Sequence, residues 1–211
     1  MMAVTADRTF GAAAAPVVLA SASPIRAALL RSAGIPITID AAAIDEAEVK
    51  ASLRTARAEP AVVAETLAEL KAQRVSRRHA GSLVIGADQV LECDGVLFDK
   101  PVDLAAARAQ LLALRGRTHR LVSAVVLARD GQRAWHHVDR ADLRMRDFSA
   151  GFLDHYLESS GDAVLSSVGA YQLEGRGAQL FVSIDGDYFT ILGLPLLPLL
   201  DILREHGVLP S

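Results

Sequence analysis

Apolar positions along the chain fall into short blocks separated by turn residues. Val17-Val18-Leu19-Ala20 is a continuous apolar run, the pattern of a buried strand. Ser23-Pro24 follows as an N-cap and first-turn pair, and predicts a helix running to Gly34, with Pro36 as a stop. Residues 36–40 read as a short strand and residues 43–49 as an acidic connection. From Pro60 to about Arg78, Val63, Leu67 and Leu70 recur at helical spacing. Residues 82–87 form a compact apolar strand, and residues 90–98 a hairpin turning at Asp94-Gly95. Asp103 can cap a helix over 104–114, ended by Gly116. Residues 118–128 and 132–145 are two long strands around Asp130-Gly131. Ser149 caps a helix through Glu158, and a glycine-bearing stretch covers 161–177. Residues 178–184 and 188–192 are strand-like on either side of Asp185-Gly186, and a helix over 196–204 closes the pattern. Helices alternating with strands and long hairpins imply an α/β fold around a mixed sheet.

Composition narrows the classes. With 211 residues, 51% of them hydrophobic, the chain can bury a real core, as one large or two small domains. A net charge of −3 with both signs interspersed argues against a nucleic-acid-wrapping protein. Cys93 is the single cysteine, which excludes an intrachain disulfide and a cysteine-based zinc cluster and points to a reducing, cytoplasmic compartment. Residues 1–14 are small and polar and read as a disordered tail, leaving a single domain over 15–211. The apolar run 12–20 is too short to span a bilayer, so no membrane partner is expected.

The chemistry begins with a conflict. The third position after the Ser23 cap normally favours Glu or Gln, yet it holds Arg26, a cation at the positive end of the helix dipole. An anion bound by the first-turn N–H groups, the Ser21 and Ser23 hydroxyls and the Arg26 fork would resolve it. The ordinary alternative is a capped helix with Arg26 turned to solvent. In "VIGADQVLECDGVLFDKP" a strand presents Asp88 as it ends, and Lys100 follows after a hairpin long enough to fold back. Such an aspartate can hold a divalent metal or accept a proton from water, and such a lysine can steady phosphate oxygens. A surface Asp–Lys pair is the bland reading. Asp45-Glu46 offers adjacent carboxylates suited to Mg²⁺, or a solvated loop. Lys71 is a cation within an amphipathic helix, and Glu174 lies among Gly169, Gly175 and Gly177, where backbone can approach a ligand closely. The six histidines form no metal motif, and neither a Walker A loop nor a G-x-S-x-G elbow occurs.

In order, "LASASP.R..LL" from Leu19, "IDE" at 44–46, "KA" at 71–72, "GADQV" at 86–90, "DKP" at 99–101, "GAYQLEG" at 169–175 and "GLPL" at 193–196 resemble the Maf family of nucleoside triphosphate pyrophosphatases. The resemblance covers the chain from Val17 to Arg204. It implies a two-lobed α/β fold, a mixed twisted sheet flanked by helices around a deep cleft. It also implies Mg²⁺- or Mn²⁺-dependent cleavage of a nucleoside triphosphate to NMP and pyrophosphate, as house-cleaning of modified or surplus nucleotides, and it suggests a homodimer. By position, Asp88, Lys71 and Lys100 match catalytic residues of the family, Asp88 and Glu46 its metal ligands, and Ser21, Ser23, Arg26, Gln89 and Glu174 its substrate-binding residues. Three departures bear on the base. Ile25 stands where many members carry a first arginine, Gln89 where many have threonine, and Glu174 where many have glutamine. All three look closer to the branch acting on 7-methyl-GTP than to the branch acting on dTTP and UTP. A nucleotide-sensing regulator of septum formation that does not cut its ligand, and a nucleotidyltransferase, are the rival readings.

Overall fold

A computed structural model describes residues 15–210; the expected tail over 1–14 lies outside the described residues. The elements are β1 (Val17–Leu19), α1 (Pro24–Ser32), β2 (Ile37–Ile39), α2 (Glu46–Thr55), α3 (Pro60–Ser76), β3 (Leu83–Cys93) and β4 (Val96–Phe98). They continue with α4 (Leu104–Leu114), β5 (Thr118–Arg129), β6 (Gln132–Met145), α5 (Ala150–Ser160), β7 (Phe181–Asp185), α6 (Tyr188–Ile191) and α7 (Leu196–Glu205), with 3₁₀ turns between Gly161 and Leu180. The sheet order is β2-β1-β3-β5-β6-β7, with β4 paired to β3. β1 is parallel to β2 and β3, and the other pairs are antiparallel. This is the expected mixed α/β sheet.

The predicted caps and turns explain the boundaries. Ser23, Asp103 and Ser149 each accept a hydrogen bond from the backbone N–H three residues on. Asp94-Gly95 and Asp130-Gly131 both have two successive positive φ angles, the geometry of a type I′ hairpin turn.

Three expectations are corrected. Residues 43–49 are not all connection, because α2 starts at Glu46. Asp45 caps it by accepting from the Glu48 N–H, and acidic residues in its first turn suit the helix dipole. Residues 188–192 are not a strand, because Asp187 accepts from the Thr190 N–H and starts the single-turn helix α6. Asp88 does not sit at a strand end. β3 runs through it to Cys93, paired to β5 along Val84–Glu92.

The other edge of β3 is what opens a site there. β1 pairs it only over Leu83–Ile85, and β4 only over Leu91–Cys93. Between those stretches the edge has no strand neighbour. One hydrophobic core packs α1 and α7 on the sheet through Leu19, Ile85, Leu127 and Leu199, and α3 covers the opposite face through Val63, Leu67, Val90 and Val126. A further core, toward the other end of the long strands, joins α4 and α5 through Leu91, Leu111, Leu143 and Leu153. The cleft lies between these two ends, at the interrupted edge of β3.

Gly86 sets the depth of that arrangement. It faces α3, and a Cβ there would lie 2.2 Å from the Ala68 carbonyl oxygen and 2.7 Å from the Ala72 N. The missing side chain lets the backbone of α3 lie almost on β3. That closeness brings Lys71, between Ala68 and Ala72, onto Asp88 two residues further along the same face.

Candidate active site

Asp88 and Lys71 are both buried, at 5% and 7% exposure, and Lys71 Nζ donates to Asp88 Oδ1 at 2.6 Å. The same ammonium lies 2.8 Å from Glu46 Oε1 at the start of α2. A lysine inside an amphipathic helix is usually on the surface. This one is drawn inward by two carboxylates from different elements. Burial pushes the Glu46 carboxyl upward, but the hydrogen bond and charge of Lys71, helped by Lys50 and Lys100, outweigh it and leave the group below its ordinary value. Asp88 Oδ2 is buried without any hydrogen-bond partner. A buried carboxylate oxygen left unpaired is costly, so it marks a place where a water or a cation belongs.

Arg26 answers its conflict with the helix dipole differently from the expectation. Its Nε donates to the Gly193 carbonyl and its Nη1 to the Ala87 carbonyl, both at 2.8 Å, and Nη1 also reaches Ser21 Oγ at 3.3 Å. Ala87 lies on the unpaired stretch of β3, so Arg26 takes a carbonyl that the strand ladder leaves over. Carbonyl dipoles, rather than a bound anion alone, neutralise the cation. Desolvation lowers the Arg26 pKa, and the charges of Asp88 and Glu46 oppose that shift. Ser21 Oγ accepts from the Ser23 N–H, and Ser23 caps α1. Gln89 is anchored too: its Nε2 donates to Ser123 Oγ and to the carbonyls of Thr190 and Ile191. The α6 segment thus ties down both Gln89 and Arg26.

These side chains line a cleft of about 790 Å³ that also admits Lys100 and Glu174, so every site residue expected from the sequence is at this one place. Lys100 and Glu174 are exposed at its lip. Desolvation, followed by the charge of Arg26, pulls the Lys100 ammonium below the ordinary lysine value. The sequence reading missed Lys50, Arg54 and Asp99, which line the same cleft, and the apolar wall that includes Leu121, Val168 and Tyr171.

Behind that wall His119 Nε2 is 2.7 Å from the Tyr171 hydroxyl, and its Nδ1 is buried without a partner. Burial lowers the His119 pKa to about 4, with Asp142 opposing. The unfolded chain therefore takes up a proton near the ordinary value of 6.5 while the folded protein does not. Stability is full above that pH and falls as the pH drops from about 6.5 to 4, by about 3 kcal/mol from this group. Denaturant titrations across that range should show the slope in wild type and a shallower one in His119→Gln; equal slopes would remove His119 as its source.

The Maf-like protein family model matches residues 16–206. The chain belongs to the Maf family. Relatives agree over nearly full length. A protein of Paramagnetospirillum magneticum named nucleoside triphosphate pyrophosphatase is 64% identical over 191 residues, covering 90% of this chain and 98% of the relative. A Brucella abortus protein named 7-methyl-GTP pyrophosphatase is 56% identical over 189 residues, 90% of this chain and 95% of the relative. A Rhizobium etli protein of that second name is 52% identical over 192 residues, 91% and 96% of the two chains.

Among the described residues no cluster of three or more His, Cys, Asp or Glu side chains is poised to hold a metal, and no helix is long and apolar enough to cross a membrane. Two carboxylates nevertheless fit a hard divalent cation. Mg²⁺ commonly binds through one or two carboxylates and takes its remaining ligands from water and substrate phosphates. The unpartnered Asp88 Oδ2, with Glu46 beside the same ammonium, is a donor set of that kind.

Proposed function

We propose that this chain hydrolyses the α–β phosphoanhydride of nucleoside triphosphates, releasing NMP and pyrophosphate, with 7-methyl-GTP or a similarly modified nucleotide as its preferred substrate. The observation that carries the reading is the buried Asp88 carboxylate, one oxygen held by Lys71 and the other unpaired, facing a cleft lined with cations. Asp88 Oδ2 is the acceptor for the attacking water. Lys71 keeps the carboxylate oriented, and Lys100 with Arg26 stabilises charge on the phosphates. Ser21 and Ser23 add hydroxyls beside Arg26. A Mg²⁺ or Mn²⁺ ion held by Asp88 and Glu46 would supply Lewis-acid polarisation of the phosphoryl oxygens.

The amide hydrogens of Gln89 are committed to backbone and Ser123, which leaves its carbonyl to accept a ring N–H of guanine, thymine or uracil alike. One feature supports the choice of base. Glu174 adds a carboxylate, an acceptor-only group that suits the positively charged 7-methylguanine ring better than neutral thymine or uracil. The single buried Cys93 is in keeping with a reducing cytoplasm, where free nucleotides are the substrates. The family resemblance adds a homodimer.

Product analysis on 7-methyl-GTP, dTTP and UTP with Mg²⁺ or Mn²⁺ tests this. NMP and pyrophosphate should appear without any acceptor present, with kcat/KM for 7-methyl-GTP at least about tenfold above the other two. A preference for dTTP or UTP would move the chain to the other branch of its family. Saturable binding without product would favour the regulator, and a requirement for an acceptor the nucleotidyltransferase.

A further inference from the structure

Glu46, Lys50 and Arg54 recur every four residues, a spacing that stacks them on one face of α2 over ~12 Å. All three line the cleft. Glu46 marks the end of α2 that meets Lys71, and Lys71 meets Asp88; Lys50 and Arg54 follow about one and two helical turns further out. α2 has no fully buried residue; Val49 and Leu53 pack it against the core partly buried, and its residues toward the cleft are mostly polar. Lys50 Nζ lies 3.0 Å from Asp99 Oδ1, and Arg54 Nη2 lies 2.7 Å from Asp99 Oδ2.

Asp99 therefore gives one oxygen to each cation, a single negative charge shared by two positive ones. Its side chain is 48% exposed and those of Arg54 and Lys50 are 45% and 18% exposed, so solvent screens both pairs at the Asp99 end and neither holds strongly. A polyphosphate offers more charge and more oxygens to the same donors, through bonds as charge-assisted as those to the carboxylate it replaces. Arg54 brings a planar fork and Lys50 a mobile point charge, a combination suited to a flexible phosphate chain.

We infer that Lys50 and Arg54 bind the β- and γ-phosphates, the part of the substrate that leaves as pyrophosphate, and that Asp99 holds the two cations in line until those phosphates displace it. The inference rests on the triphosphate reading above. α2 then serves as a ruler: its inner end meets the reacting centre through Glu46, and its next two turns hold the leaving group. Asp99 is a positioning residue that competes with the ligand it prepares for, so removing its charge should strengthen binding instead of weakening it.

Calorimetric titration with inorganic pyrophosphate and with NMP, both in Mg²⁺ buffer, separates this from the parent reading because neither requires turnover. The K50Q/R54Q double variant should bind pyrophosphate at least about tenfold more weakly than wild type and NMP within about twofold of it. D99N should bind pyrophosphate severalfold more tightly. Because the Asp99 pairs are solvent-screened, both variants should melt within a few degrees of wild type. Equal pyrophosphate affinity in wild type and K50Q/R54Q would overturn the assignment, as would an equal loss for pyrophosphate and NMP, which would mean a distorted cleft. Weaker pyrophosphate binding by D99N would overturn the displacement. Failure of the parent reading is distinct: wild type would release no NMP from any triphosphate.

Discussion

Asp88→Asn is expected to lower kcat by about 10³-fold while leaving the melting temperature within a few degrees of wild type. The substitution keeps the shape of the side chain, and its amide oxygen can still accept from Lys71. What it removes is the charge, and with it the basicity of the oxygen that in wild type is buried and unpaired. A 10³-fold loss corresponds to about 4 kcal/mol of transition-state stabilisation. The structural cost is smaller. Breaking a buried ion pair is severe when it strands an uncompensated charge, but Lys71 keeps Glu46 at 2.8 Å, so its ammonium is not stranded. Activity and stability should therefore separate in this variant. Steady-state rates on whichever triphosphate wild type cleaves, with a thermal melt on the same sample, check both halves. Turnover near the wild-type rate would take Asp88 out of the chemistry. A collapse in melting temperature would make the Lys71–Asp88 pair structural first.

The site was legible in the sequence where residue type and local geometry point the same way. Ser23-Pro24, Asp103 and Ser149 name their helices because a cap works through the next three residues alone. Asp-Gly at 94–95 and 130–131 names its hairpins because few other residues tolerate two positive φ angles in succession. α2 was not legible, since a helix that buries no residue fully and meets the core through Val49 and Leu53 writes too weak an apolar period. Missing it hid the alignment of Glu46, Lys50 and Arg54, which exists only once the segment is helical. α6 was missed for a related reason: its Tyr-Phe-Thr-Ile run is too short to show a period, and the cap at Asp187 decides. The apparent strand end at Asp88 was a gap in pairing along one edge of a strand that continues, and partners distant in sequence set that gap. The Arg26 conflict was legible, but its resolution was not, because Gly193 lies 167 residues away.

Gly86→Ala is expected to destabilise the protein by about 3 kcal/mol or more, lowering its melting temperature by about 10 °C, and to reduce activity with it. Ordinarily a Gly-to-Ala change in a strand helps, by up to about 1 kcal/mol through the unfolded chain, and the φ at Gly86 is not in the left-handed region. Here the new methyl would stand 2.2 Å from the Ala68 carbonyl oxygen and 2.7 Å from the Ala72 N. Both are backbone atoms of α3, so no side-chain rotation relieves the clash. The helix must move as a body, and it carries Val63, Leu67 and Val75, each at most 1% exposed. Lys71 moves with it, since it lies between the two displaced residues, and the 2.6 Å contact to Asp88 lengthens. Stability and catalysis are coupled at this position, in contrast to Asp88→Asn, where they part. Gly151→Ala is the matched control, because a methyl there meets nothing within 4 Å and the site is helical. That variant should melt at or slightly above wild type. A Gly86→Ala protein that melts alongside it would show that α3 can sit further from β3 than this packing holds, and that the closeness of Lys71 to Asp88 does not depend on the missing side chain.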